Sequence, residues 1–122
     1  MPERLLTAAE LELMHVLWRA PSPLTVQEVV DGLADHRAYT TVATLLKILE
    51  DKGFLVTERD GRRLRYAPAE GRAAYEATAV SDVVTRVFDG SASALVRALV
   101  GTDRLSTHER AEILALLQRS AR

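Results

Sequence analysis

Thr40, Ala43, Thr44 and Lys47 are spaced to share one face of a helix, opposite Val42, Leu45, Leu46 and Leu49 at i, i+3, i+4, i+7. Exposed helix faces normally favour Glu, Lys, Gln and Arg, because threonine loses χ1 freedom in a helix. Short side chains have a different use. They let a helix backbone approach base edges in the DNA major groove, where Thr and Ala methyls meet the thymine methyl and hydroxyls or a lysine serve base acceptors. A second constellation follows in "FLVTERDGRRLRYAP" (54–68), where Arg59, Arg62, Arg63 and Arg65 surround Asp60-Gly61. Guanidinium groups on an exposed hairpin suit phosphates. Taken singly, a threonine-rich face is most often plain surface, and hairpin arginines most often solvated charge or edge protection. Together, in this order, they point to nucleic acid.

The elements that must position these residues are legible from caps and periodicity. Thr7-Ala-Ala-Glu10 and Thr25-Val-Gln-Glu28 have capping-box spacing and predict two helix starts. Leu11, Met14, Leu17 and Trp18 give the first helix its apolar face, ended by "APSP" (20–23), with Trp18 expected in the core. Val26, Val29, Val30 and Leu33 do the same for a short second helix. The third is "YTTVATLLKILED", stopped by Gly53, with Tyr39 either on a phosphate or packed at the helix entrance. Asp60-Gly61 predicts a type I′ hairpin with φ > 0 at both residues, and Pro68 closes its second strand. A short strand near Leu24 would complete a three-stranded sheet. Three helices and a basic hairpin are the order of a winged helix-turn-helix.

Beyond residue 70 the pattern is helical. Val80, Val83, Val84 and Val87 form one stripe, broken at Asp89-Gly90. Leu95, Val96, Leu99 and Val100 form a second, broken at Gly101, and Ser106-Thr-His-Glu109 caps a third helix carrying Ile113, Leu114 and Leu117. So short a segment cannot enclose a core alone, and a second copy of the chain would supply the missing surface. The expected fold is therefore mainly α with a small β-wing. A winged helix-turn-helix domain (1–69) precedes a helical dimerisation region (70–122).

Composition narrows the function. In 122 residues, 48% hydrophobic and 27% charged, there is no cysteine, which excludes disulfides, thiolate metal sites and cysteine nucleophiles. The net charge of −1 is uninformative, but its distribution is not. Residues 1–35 carry two basic and six acidic side chains, residues 36–66 seven and four, and residues 67–122 seven of each. Positive charge gathers where the threonine face and the hairpin lie. His15, His36 and His108 are scattered and carry no H-x-x-x-H partner, so no metal and no cofactor are expected. His15 reads as a half-buried structural residue and His108 as part of a cap. No phosphate loop, nucleophile elbow or carboxylate pair suggests an enzyme. No apolar run is long enough to span a membrane, and a cytoplasmic protein is the default.

"LTAAELELMHVLW" (6–18), "YTTVATLLKILEDKGFL" (39–55), "RRLRYAP" (62–68) and "FDGSASALVRALV" (88–100) together resemble the penicillinase-repressor family, the BlaI/MecI/CopY group. The resemblance runs over nearly the whole chain. It implies a dimeric winged-helix repressor on an inverted-repeat DNA operator. Its DNA contacts would come from Tyr39, Thr40, Thr41, Ala43, Thr44 and Lys47 and from the wing arginines, and its C-terminal helices would form the homodimer. In resistance members a membrane sensor protease leads to cleavage at an Asn-Phe pair; this chain has Ala98-Leu99 there. Copper-responsive members carry a C-terminal cysteine motif, which this chain lacks. Two other classes fit the residues: a winged-helix regulator sensing a small molecule, and a protein-binding winged helix without a DNA role.

Overall fold

Thr7 Oγ1 accepts the Glu10 N–H at 3.1 Å while Glu10 Oε1 accepts the Thr7 N–H at 2.9 Å, the reciprocal cap its spacing predicts. Thr25 and Glu28 repeat it at 3.2 and 2.9 Å, and Ser106 and Glu109 at 3.0 and 3.2 Å. These caps start three of the helices in a computed structural model that describes residues 5–35 and 37–120. The order is α1 (Ala8–Arg19), α2 (Val26–Gly32), α3 (Tyr39–Asp51), β1 (Leu55–Asp60), β2 (Arg63–Pro68), α4 (Arg72–Val87), α5 (Ala92–Gly101) and α6 (Thr107–Ser120). This is the mainly helical chain with a β-wing expected from the sequence. His36 lies outside the described residues.

The chain divides into two compact units, Met1–Ala79 and Val80–Arg122. In the first, α1, α2, α3 and the root of the hairpin close over one core. Leu13, Val29, Val42, Leu46 and Leu49 are fully buried there. A fully buried aliphatic side chain of this size is worth about 1.5–3 kcal/mol, so these few set the stability of the unit. The buried stripe of α1 is the expected one in part: Met14 and Leu17 are buried as their spacing predicts, but the stripe is rotated. It runs through Glu10, Leu13, Met14, Val16 and Leu17, with Leu11 and Trp18 half-buried at its edge. Glu10 is the reason: a charged residue looked like solvent face, yet its carboxylate is buried against Lys52 Nζ at 2.7 Å. Trp18 packs at the margin of the core beside Tyr75 and His15 (centroids 5.6 and 5.7 Å), and its Nε1 donates to Glu70 O.

α3 ends where glycine is needed. Gly53 sits at φ +90°, its N–H reaches Glu50 O, and Phe54 N–H reaches Leu49 O, both at 2.9 Å. This is a Schellman closure. The hairpin that follows pairs Leu55 with Pro68 through Asp60 with Arg63. The two-residue loop is therefore Gly61-Arg62, not Asp60-Gly61. Only Gly61 has positive φ (+64°), as a type II′ turn demands of its first central residue. Nor does Leu24 form a third strand. It makes a single bridge to Tyr66, with N–H to O distances of 2.9 and 2.7 Å, because the chain turns into α2 at Val26 on one side and Pro68, where the next bonded pair would form on the other, has no N–H to give. In the second unit none of the described residues is buried. No helix among the described residues is long and apolar enough to cross a membrane.

Candidate nucleic-acid interface

The exposed face of α3 begins at Tyr39, Thr40 and Thr41, all open to solvent. The N-cap, Ala38, has no side-chain acceptor, and no acid lies in the first turn. The first-turn N–H groups thus present the positive end of the helix dipole uncompensated, which favours an approaching anion. Thr40, Thr41 and Thr44 line one open depression of about 530 Å³ with Ala9, Arg37 and Leu45. The Thr44 hydroxyl donates to Thr40 O at 2.9 Å, so outward it offers lone pairs and its methyl. Ala43 is half-buried beside them.

Lys47 stands one turn on, exposed but not idle. Its Nζ lies 3.3 Å from Asp51 Oδ1 and 3.8 Å from Glu50 Oε1. The hydrogen bond and charge of Asp51, then the charge of Glu50, raise its pKa above the ordinary lysine value. Glu50 is shared: its Oε2 accepts the Thr57 hydroxyl at 3.2 Å, which joins α3 to β1. The wing is thereby tied to the last turn of α3, just past Lys47.

The wing arginines divide. Arg59, Arg62 and Arg63 are exposed, and among the described residues none has an ion-pair partner. Arg65 is different. Its Nε lies 2.9 Å from Asp60 Oδ2 and its Nη1 3.1 Å from Glu28 Oε1, and only 24% of its side chain is exposed. The hydrogen bond to Asp60 chiefly, with the charges of Glu28 and Asp60, holds its guanidinium still more firmly protonated. Glu28 in turn is held below the usual carboxylate range, first by the Thr25 backbone N–H and then by Arg65.

Arg37, which the periodicity reading did not single out, holds the chain entering α3. It pairs with Glu12 of α1 and, at 3.4 Å, with Asp35. The only sequence signal was a basic residue two positions ahead of the helix. Among the described residues no His, Asp or Glu cluster could hold a metal ion. His15 sits half-buried on a cleft between α1 and the end of α2, and His108 is exposed in its cap beside Glu112 at 4.0 Å.

The family model described as penicillinase repressor matches residues 6–119. The chain belongs to the penicillinase repressor family. Among its relatives is the transcriptional regulator BlaI of Mycobacterium tuberculosis, 36% identical over 108 residues, covering 84% of this chain and 78% of the relative. The penicillinase repressor of Bacillus licheniformis is 29% identical over 112 residues, covering 90% and 87%. Of solved structures, BpsR from Bordetella bronchiseptica superposes with TM-score 0.50 at 24% identity, over 95% of this chain and 76% of the other. A MepR mutant from S. aureus gives 0.50 at 22%, over 93% and 76%. These two speak for the fold. Family membership makes this penicillinase repressor homologue a DNA-binding transcriptional repressor and not an enzyme.

Proposed function

We propose that the chain represses transcription as a homodimer bound to an inverted-repeat operator in the cytoplasm. In this reading α3 enters the major groove of each half-site. Thr40, Ala43, Thr44 and Lys47 meet base edges there, Tyr39 and Thr41 meet the backbone at the helix start, and Arg59, Arg62 and Arg63 reach phosphates from the wing. The observation that carries it is the pairing of an exposed, short-chained α3 face with wing arginines that have no ion-pair partner among the described residues, on a hairpin tied to that helix through Thr57 and Glu50. The homodimer rests on α4, α5 and α6, whose valine and leucine stripes (Val80, Val83, Val84, Val87, Leu95, Val96, Leu99, Ile113, Leu114, Leu117) are exposed or half-buried.

A sensor protease acting upstream belongs to the same proposal, with a restriction. Ala98-Leu99 is in the middle of α5, where Thr102 Oγ1 donates to Ala98 O at 2.9 Å. A protease needs extended chain, so that turn would have to open first.

Selection of bound fragments from genomic DNA, followed by titration on the recovered duplex, tests the proposal. An inverted repeat should be enriched. With three phosphates neutralised per chain, by Arg59, Arg62 and Arg63, log K should fall against log salt with a slope of roughly −5 per dimer. Enrichment of no sequence, or a slope near zero, would overturn it.

A further inference from the structure

We propose that Arg65 is a positioning residue of the wing and not a phosphate contact: it clamps the hairpin tip to the start of α2 and so fixes where Arg59, Arg62 and Arg63 meet DNA. This rests on the proposed wing–phosphate contact, and its test is arranged to separate the two.

Three features of the geometry carry it. First, two of the three guanidinium nitrogens are already engaged. Nε binds Asp60 Oδ2 at 2.9 Å, and Nη1 is shared between Glu28 Oε1 at 3.1 Å and Pro23 O at 3.5 Å. One positive charge between two carboxylates leaves a cluster of net −1, which repels a phosphate. Second, Glu28 is fixed by another bond, and Asp60 stands at the end of the strand ladder. Glu28 Oε1 also accepts the Thr25 N–H at 2.9 Å in the cap of α2, and Asp60 is the last residue of β1, adjoining the turn. Third, the tip has little else to hold it. The root of the hairpin is pinned by buried Leu55 and Tyr66, but Glu58 through Leu64 are all exposed. Arg65 is the side chain that carries the packed part of the domain out to the turn.

The alternative roles differ in sign. Removing a carboxylate near DNA strengthens binding if only charge matters, because repulsion of phosphate is relieved. If Glu28 and Asp60 act by holding Arg65, neutralising either weakens binding. Glu28→Gln leaves an acceptor oxygen for the Thr25 N–H, which preserves the capping box and hence α2, and reduces the ion pair with Arg65 to a weaker neutral hydrogen bond.

The experiment titrates the full-length protein, by fluorescence anisotropy, onto the duplex recovered in the selection, at several salt concentrations. The variants are Glu28→Gln, Asp60→Asn, Arg65→Gln and, as control, Arg62→Ala, with thermal unfolding of each. Arg62→Ala should flatten the salt slope by about 2 per dimer, one phosphate being lost per chain. Arg65→Gln, Glu28→Gln and Asp60→Asn should each weaken binding by roughly fivefold with the slope unchanged. Combining Arg65→Gln with Glu28→Gln should weaken it no further. Flattening by Arg65→Gln equal to that of Arg62→Ala would overturn the proposal. So would tighter binding by Glu28→Gln or Asp60→Asn, or a loss of thermal stability with affinity unchanged. No effect of Arg62→Ala on the slope would instead remove the wing–phosphate reading itself, and this inference with it.

Discussion

Lys47 has two sets of acceptors competing for one charge. In the free chain it is paired with Asp51 and Glu50, but these are exposed intrahelical contacts, weakened by water and salt. A base-edge acceptor in a desolvated groove is the stronger partner, so the lysine should exchange on binding. Replacing Lys47 with alanine should then cost roughly tenfold in discrimination at one base pair, while Arg62→Ala should weaken all duplexes alike. Equal, uniform losses across an operator mutation series would contradict the division of roles. Glu10 presents the opposite case, a charge drawn inside. Burial alone would raise its pKa, but the Lys52 hydrogen bond and charge and the Thr7 N–H outweigh burial and leave it lowered. A lowered folded pKa means that its stabilisation is full above the ordinary glutamate range, about pH 4.3, and fades as pH falls through the folded value. Glu10→Gln should therefore lower the urea midpoint at neutral pH, by the equivalent of about 1–2 kcal/mol, and converge on the wild-type curve in acid. A constant gap down to pH 3 would contradict this. Both residues mark what sequence could yield. The spacing of Thr40, Thr44 and Lys47 is local and readable; Lys52, which pairs with Glu10, and Glu28, which pairs with Arg65, lie 42 and 37 residues away, and no local pattern announces those two contacts.

Elements follow the same rule at larger scale. Caps within three residues and the Gly53 stop are set by local backbone chemistry, and each helix start marked by a capping box is where its spacing puts it. The hairpin turn slipped by one residue because Asp60-Gly61 and Gly61-Arg62 both offer a glycine, and the favoured register depends on the pairing of the strands rather than on the dipeptide. The α1–α2 contact was invisible for another reason: it needs the absence of a side chain. A Cβ on Gly32 would lie 2.8 Å from Val16 Cγ1, too close for any real contact. Val16 is β-branched and packed in the core, so it gives way poorly. Gly32→Ala should therefore destabilise the domain by about 1–3 kcal/mol despite alanine's better helix propensity. Combined with Val16→Ala, it should cost less than the sum of the two single changes, as measured by urea unfolding. Additivity would mean that the helices do not meet there.

In the whole molecule the two units stand on unequal footing. The first has a closed core; α4, α5 and α6 have no buried residue between them, while Val87, Val96 and Leu117 are 65, 49 and 62% exposed. Apolar stripes of this extent on a lone chain call for a partner, and the proposed partner is a second copy. Well-exposed positions give the sharpest test, because they contribute little to the fold of one chain. In a true monomer Val96→Asp or Leu117→Asp would change stability by no more than about 0.5 kcal/mol. At a subunit interface either change buries an unpaired carboxylate, and the dimer should fall apart. Sedimentation should then find monomers that keep the circular dichroism of a folded winged helix. Those monomers should lose tight operator binding, since paired half-sites about 34–36 Å apart are held only when two α3 helices are linked. If both variants sediment as dimers and bind the operator as the wild type does, the interface is not on these stripes.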